Sequence, residues 1–342
     1  MTLTDKLSHA AERKAFETIL DNLIKKGQTQ DAAQVATDLV NMVEKLHSDV
    51  WSENSFQTLR MIANDPDGKW AHYTQRLIRD NDPYILKTFL TNAVYEGGIR
   101  GYHVAQQTAA KYDINVPWLI LMDPTSACNM HCTGCWAAEY GYKQSLTFEE
   151  MDRVLTEGKE LGTHACLFTG GEPLMRKKDM IRLCEKHRDI AFHAFTNGTL
   201  IDEKFADDML RVKNFIPAIS VEGDELSHDG RRGDGSFHAV TRAMDILKKN
   251  RLPFGISCCY TSANMDMITS EEFYDQMINW GASFVWNFHY MPVGNDAVPE
   301  LMPTPEQREY IYHKIREYRN TKDIFSIDFQ NDAEYVGGCI AG

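Results

Sequence analysis

Residues 116–135 read VPWLILMDPTSACNMHCTGC. The first half is a short apolar run bounded by proline, which reads as a buried β-strand. The second half is a loop carrying three thiols, Cys128, Cys132 and Cys135, in a C-x3-C-x2-C spacing. Single cysteines are common in cores, but three on a loop that also holds Asn and Gly are not core packing. Four ligands close a structural zinc site, and four thiolates are normal for a 4Fe–4S cube. A cube held by three thiolates leaves one iron for an outside ligand, and an open position separates a catalytic metal from a structural one. A catalytic zinc on three thiolates is the other chemistry this loop permits. His131 sits beside Cys132 on too short a loop to join it, and no spacing favours His103, His164 or His193.

Downstream of this stretch, strands and helices alternate. HACLFTGGEP (164–173), IAFHAFTNGT (190–199), FIPAISVEGD (215–224), PFGISCCYT (253–261) and SFVWNFHYMPVG (283–294) repeat the form of an apolar run ending in a turn. The helices between them are well punctuated. Thr147 and Glu150 form a capping box for a helix ending near Gly162, and Thr304, Pro305 and Gln307 open a later one. Strands separated by amphipathic helices imply parallel βαβ units with right-handed crossovers. At least six units fit between residues 116 and 320, which predicts a partial (β/α)6 TIM-like barrel with its chemistry in the loops after the strands. The cysteines follow strand 1, GGEP strand 2, TNGT strand 3, SVEGD strand 4 and MPVG strand 6, so five motifs meet at one mouth.

Upstream, residues 1–115 read as an all-helical region. Leu7, Ala11, Phe16, Leu20 and Leu23 recur at helical spacing, with Gly27 closing the segment; Val35, Leu39, Val43, Leu46 and Val50 repeat the pattern. Asp82 and Pro83 start another helix, whose stripe is Leu86, Phe89, Leu90 and Val94 and which Gly97 and Gly98 interrupt. These stripes predict packing or a lid. The chain thus divides into 1–115, 116–320 and a short remainder, 321–342.

The 342 residues are 43% hydrophobic and 25% charged, as in a globular protein. A net charge of −13 argues against a nucleic-acid surface, and RKK at 176–178 reads as a solvated helix start. No apolar run approaches the roughly 20 residues of a membrane span, and the N-terminus is too polar for a signal peptide. A cytoplasmic location follows as an expectation, in which eight cysteines favour metal or catalysis over disulfides.

The cysteine loop and the Gly170, Gly171, Glu172, Pro173 turn, on successive βα units, resemble the radical S-adenosylmethionine (radical SAM) superfamily over residues 116–300. The resemblance implies a 4Fe–4S cluster on Cys128, Cys132 and Cys135, whose open iron chelates the methionyl end of SAM. It implies reductive cleavage of SAM to a 5′-deoxyadenosyl radical that abstracts hydrogen from a substrate, with an electron donor such as flavodoxin or ferredoxin. The GGEP carbonyls and the Glu172 carboxylate would accept from the methionyl ammonium. Thr196, Asn197, Ser220 and Glu222 would also reach SAM, and Arg232 or Arg231 would pair with its carboxylate. MPVG, residues 291–294, stands where an adenine-contacting turn would be. HDGRRGDGSF (228–237) resembles a run in peptide-modifying members.

There are departures. Many members carry an aromatic residue before the third cysteine, where this chain has Gly134; Trp136 is the candidate substitute. YVGGCIAG (335–342) resembles the opening of a cysteine-rich SPASM-type extension, yet Cys339 alone holds no cluster. Cys166, Cys184, Cys258 and Cys259 read as core residues, and His193, Asn287 and His289 as polar filling of the inner wall. The substrate expected is a peptide or protein, with a lipid or small metabolite as the alternative. A zinc-binding scaffold is the rival reading from another class.

Overall fold

The computed structural model describes residues 3–29, 34–35, 37–38, 40–41, 44, 53–137, 143–294 and 296–333. Among these residues seven strands form one sheet: β1 (Ile120–Met122), β2 (Ala165–Phe168), β3 (Ala191–Thr196), β4 (Phe215–Ser220), β5 (Gly255–Tyr260), β6 (Phe284–His289) and β7 (Phe325–Asp328). Their order in the sheet is their order in the chain, and every neighbouring pair is parallel. Helices cross between them, so the sheet is an open, partial TIM-like barrel whose first and last strands do not pair. One strand more is present than the six repeats legible in the sequence. Phe325–Asp328 is short and mixed in polarity, and it joins the sheet beyond residue 320, inside the segment read as the start of an extension. Cys339 lies outside the described residues.

Side chains alternate across each strand. Cys166, Phe168, Phe192, Ala194, Ile256, Cys258, Tyr260 and Val285 point outward into the main core beneath the helices, with Cys184. The opposite faces of β3 and β6 present His193, Phe195, Phe284, Trp286 and Phe288, half-buried rings that contact one another and, through Trp286 and Phe288, Phe329. His193 is on this inner wall as expected. Its Nδ1 donates to the Ile216 carbonyl at 2.6 Å, and burial pushes its pKa down to about 4, so it is neutral. Asn287 is not on the wall. It faces outward and donates to Ser326 Oγ and the Ile327 carbonyl, while His289 stacks edge-on against the outward-facing Tyr260.

The N-terminal helices span Leu3–Thr29, Glu53–Ala63, Lys69–Asp80, Pro83–Leu90 and Tyr102–Tyr112, with a π-helix at Thr91–Gly101. Gly27 lies inside the first of these, packed against Ile78, and does not end it. Gly97 and Gly98 lie inside the π-helix, which carries the chain past them without a break. Leu39, Val43, Leu46 and Val50 lie outside the described residues.

Most polar anchors of this region fall on the loops that enter the strands. Asn92 donates to the carbonyls of Arg188 and Ile190 before β3. Arg251, before β5, donates to the carbonyls of Arg79 and Asn81. Arg76 donates to Ala282 before β6 at 2.9 Å and to Asp323 before β7 at 2.6 Å. Buried Glu96 on the π-helix receives Arg13 Nη1 at 2.5 Å and so ties down the first helix. The described part of the region therefore packs on the end of the barrel opposite the cysteine loop and not over the mouth. No helix of the described residues is long and apolar enough to cross a membrane.

Arg76→Met should leave the Ala282 and Asp323 carbonyls without their charged donor. Stability is expected to fall by about 2–3 kcal/mol, read as a lower urea midpoint with an unchanged slope.

Candidate functional site

The loop after β1 and the turn after β2 are fastened backbone to backbone. Gly171 N donates to the Thr125 carbonyl at 3.0 Å and Glu172 N to the Ala127 carbonyl at 2.8 Å. Any side chain at position 171 would overlap the carbonyls of Ser126 and Ala127, so glycine here is dictated by the approach of the cysteine loop. Thr169, Gly170 and Gly171 stay half-exposed at the mouth.

Glu172 turns the other way. Its buried carboxylate accepts from Thr196 Oγ1 at 2.6 Å, Leu174 N at 2.9 Å and Asn197 N at 2.7 Å. Burial pushes its pKa up against the pull of these donors. The carboxylate expected to receive the methionyl ammonium is thus engaged by the protein, and it joins the ends of β2 and β3. Pro173, also buried, opens the 3-10 turn Pro173–Arg176. Arg176 is no solvated charge, since it donates to the carbonyls of Pro124 and Leu146.

Thr196 is consumed by Glu172 and by accepting from Gly198 N at 3.0 Å. Asn197 reaches the cysteine loop, with Nδ2 2.9 Å from Asn129 Oδ1 and 4.0 Å from Cys128 Sγ. Asn197 thus ties the end of β3 to the cysteine loop, and Thr196 ties it to the Glu172 turn.

After β4, Glu222 is wholly buried between two guanidiniums. Arg231 Nη1 lies 2.9 Å from Oε2, and Arg232 Nε and Nη2 lie 2.8 and 2.5 Å from Oε1. Burial alone would raise the Glu222 pKa, but the two arginines outweigh it and hold the carboxyl below its ordinary range. HDGRRGDGSF builds this arrangement. Asp229 accepts from Gly235 N, Ser236 Oγ and Phe237 N, which folds the loop back on itself. His228 is held neutral, its pKa pushed to about 4 chiefly by burial, and its Nδ1 accepts from Glu222 N. Arg231 and Cys132 are also linked through Thr133, whose N–H donates to the Arg231 carbonyl at 2.8 Å. Ser220, half-buried, ends β4 on the inner face, opposite Ser257 of β5.

Two residues here escape a reading of motifs. Gly134 has φ +67°, and a Cβ there would stand 2.5 Å from the Tyr290 hydroxyl and 2.9 Å from its ring. The space beside the third cysteine is filled by Tyr290, from the end of β6, whose hydroxyl accepts from Val298 N at 2.9 Å. Trp136 is 45% exposed and does not fill it. Tyr290 directly precedes MPVG, and the Gly at 134 is the signal that could have found it. Cys259, read as core, is half-buried on the inner face with Arg231 and Glu222 as its charged neighbours.

The donor set suits a thiolate-held cluster. Cys128, Cys132 and Cys135 are half-buried on one loop. Burial pushes the Cys128 and Cys132 thiols above their ordinary range, a penalty that bound iron would reverse. Two of the sulfurs face N–H donors, Asn197 for Cys128 and Arg232 for Cys132. Two of the three histidines considered for a zinc site are engaged elsewhere: His164 bonds the Asp189 carbonyl and His193 that of Ile216. Among the described residues no three His, Cys, Asp or Glu side chains converge on a single-ion position.

The model of the radical SAM superfamily matches residues 122–277. The chain contains a radical SAM domain. That family uses a 4Fe–4S cluster and SAM. An AdoMet-dependent heme synthase of Methanosarcina barkeri is 26% identical over 217 residues, 61% of this chain and 61% of that protein. A cysteine-type anaerobic sulfatase-maturating enzyme of Clostridium perfringens is 31% identical over 166 residues, 42% of this chain and 44% of that protein. The chain thus spans less than two thirds of either relative. Among solved structures, the fold is shared with anSMEcpe bound to AdoMet and the Kp18Cys peptide (TM-score 0.54, 22% identity, 65% of this chain and 67% of that one). It is shared equally with Streptococcus suis SuiB bound to the precursor peptide SuiA (TM-score 0.53, 18% identity, 75% and 57%).

Two outcomes follow for the radical SAM domain. Glu172→Gln keeps the shape but sets an amide donor against one of three donors, and should cost about 1.5–3 kcal/mol of stability, measured by chemical unfolding. Glu222, with a depressed folded pKa, stabilises the fold above the unfolded carboxylate value of about 4.3. That contribution is lost as pH falls through the folded pKa. Glu222→Gln should therefore flatten the acid limb of a melting-temperature profile taken between about pH 3 and pH 7.

Proposed function

We propose that this chain is a radical SAM enzyme that abstracts hydrogen from a peptide or protein. Cys128, Cys132 and Cys135 would hold the 4Fe–4S cluster, and SAM would lie against the half-exposed Thr169–Gly171 turn and Ser220. The observation that carries the reading is the gathering of three thiols and their N–H donors at the strand-exit end of a parallel barrel. When bound there, the pair supplies one-electron reductive cleavage of SAM and hydrogen abstraction from a substrate. An electron donor such as flavodoxin or ferredoxin would provide the electron, in the cytoplasm.

The chain's own residues bind, orient and exclude water. Glu172, Thr196 and Asn197 fix the cysteine loop to two strands. Arg231, Arg232 and Glu222 leave one net positive charge beside the thiols, suited to an anionic cluster or carboxylate. The aromatic inner wall formed by Phe195, Trp286 and Phe288 offers a low-dielectric surface on which an apolar side chain could pack. A peptide substrate is supported by the HDGRRGDGSF resemblance and by the sulfatase-maturating relative. The heme synthase relative and the aromatic wall favour a second reading, a large planar small molecule.

The division between residues 1–115, the barrel and a terminal extension is proposed on the same footing, with β7 counted in the barrel. Reaction of the reconstituted, reduced protein with deuterated peptides should transfer deuterium to 5′-deoxyadenosine. Transfer from a tetrapyrrole and from no peptide would favour the second reading. Cys132→Ala is expected to lose the iron and SAM cleavage, while Cys184→Ala, a core substitution, keeps both. Full iron in the Cys132 variant, by chemical iron and sulfide assay, would remove it as a ligand.

A further inference from the structure

Arg232 is expected, from the family resemblance, to hold the SAM carboxylate. Its geometry assigns it elsewhere. Nε and Nη2 are both committed to Glu222 Oε1, and Nη1 lies 3.9 Å from Cys132 Sγ. The guanidinium therefore spans a buried carboxylate and a cluster cysteine, with all three of its nitrogens engaged. Arg231 is turned to the other Glu222 oxygen, to the Thr133 carbonyl and to the Tyr290 ring, 5.7 Å from its guanidinium.

We propose that Arg232 is a positioning residue that sets the reduction potential of the cluster through Cys132, not a ligand for SAM. The inference rests on the cluster reading given above. Hydrogen bonds to ligand sulfur and the net charge around a cluster are among the factors that set its potential. A guanidinium supplies both at once, because it always carries its charge and presents a rigid fork. Glu222 fixes that fork, so the N–H directed at Cys132 is held by a carboxylate behind it, the arrangement by which outer partners orient a metal's ligands. A positive charge and an N–H donor at the sulfur stabilise the more electron-rich, reduced state. Asn197 does the same more weakly at Cys128, as a neutral donor at 4.0 Å.

The test is an EPR-monitored redox titration of the full-length, anaerobically reconstituted protein, without substrate. Wild type must first show a 4Fe–4S spectrum; its absence would overturn the cluster reading itself. Arg232→Gln, with Arg231 still pairing Glu222, is expected to lower the ratio of reduced to oxidised cluster about tenfold at the wild-type midpoint. For a one-electron couple this is about 59 mV toward more negative potential. Arg232→Lys keeps the charge but cannot bridge Glu222 and Cys132 with a fork, and should shift the same way by a smaller factor. SAM affinity, from titration of the same samples, should change less than threefold. An unshifted midpoint in Arg232→Gln overturns the proposal, as does a normal midpoint with a large loss of SAM affinity. If Arg232→Gln does not retain iron, Arg232→Lys is read by the same two criteria.

Discussion

The arrangement at the mouth depends on one buried carboxylate. Glu172 draws in a side-chain hydroxyl and two backbone N–H groups from two segments of chain, while its own N–H is given to Ala127, next to Cys128. A buried acceptor without partners costs far more than a satisfied one gains. The ends of β2 and β3 therefore have little freedom to move apart. The cysteine loop inherits its position from this joint, and Gly171 lets it come close enough to do so.

A second joint, Glu222 with Arg231 and Arg232, works differently. It buries more positive than negative charge, and that imbalance is expensive unless something anionic stands nearby. The surplus points toward Cys132. Charged residues and thiols are thus gathered in the loops after β1, β2 and β4, while the rings line the inner faces of β3 and β6, with Phe329 after β7. The mouth is polar and the wall inside it aromatic.

Much of this was legible in the sequence, for physical reasons. Apolar runs bounded by proline or turns marked β1 to β6, and capping boxes marked the helices at Thr147 and Thr304, because periodicity and caps are local properties. The C-x3-C-x2-C loop and GGEP marked the mouth, since spacing on successive βα units fixes where motifs land. What could not be read is where long side chains turn. Glu172 and Arg232 carry the charges of cofactor ligands, and only tertiary packing shows that protein groups already hold them. Tyr290 fills the space at Gly134 from a strand over 150 residues away, so no local pattern announces it. β7 was missed because four residues of mixed polarity carry no periodic signal, and Gly27 and Gly97 misled because close helix packing and a π-turn both use glycine.

The anchors of the N-terminal helices lie mostly on the loops that feed the strands, which has a consequence for traffic. With that end covered, the interior resembles a flask with its neck at the cysteine loop and a seam where β1 and β7 fail to meet. Leu121, 55% exposed on β1, lies on that seam. By the neck alone, the last molecule to enter would be the first to leave. For the enzyme proposed above, a bulky substrate seated against the rings would have to arrive before the neck is occupied or slip in along the seam. Order of addition would then be written into the shape of the container.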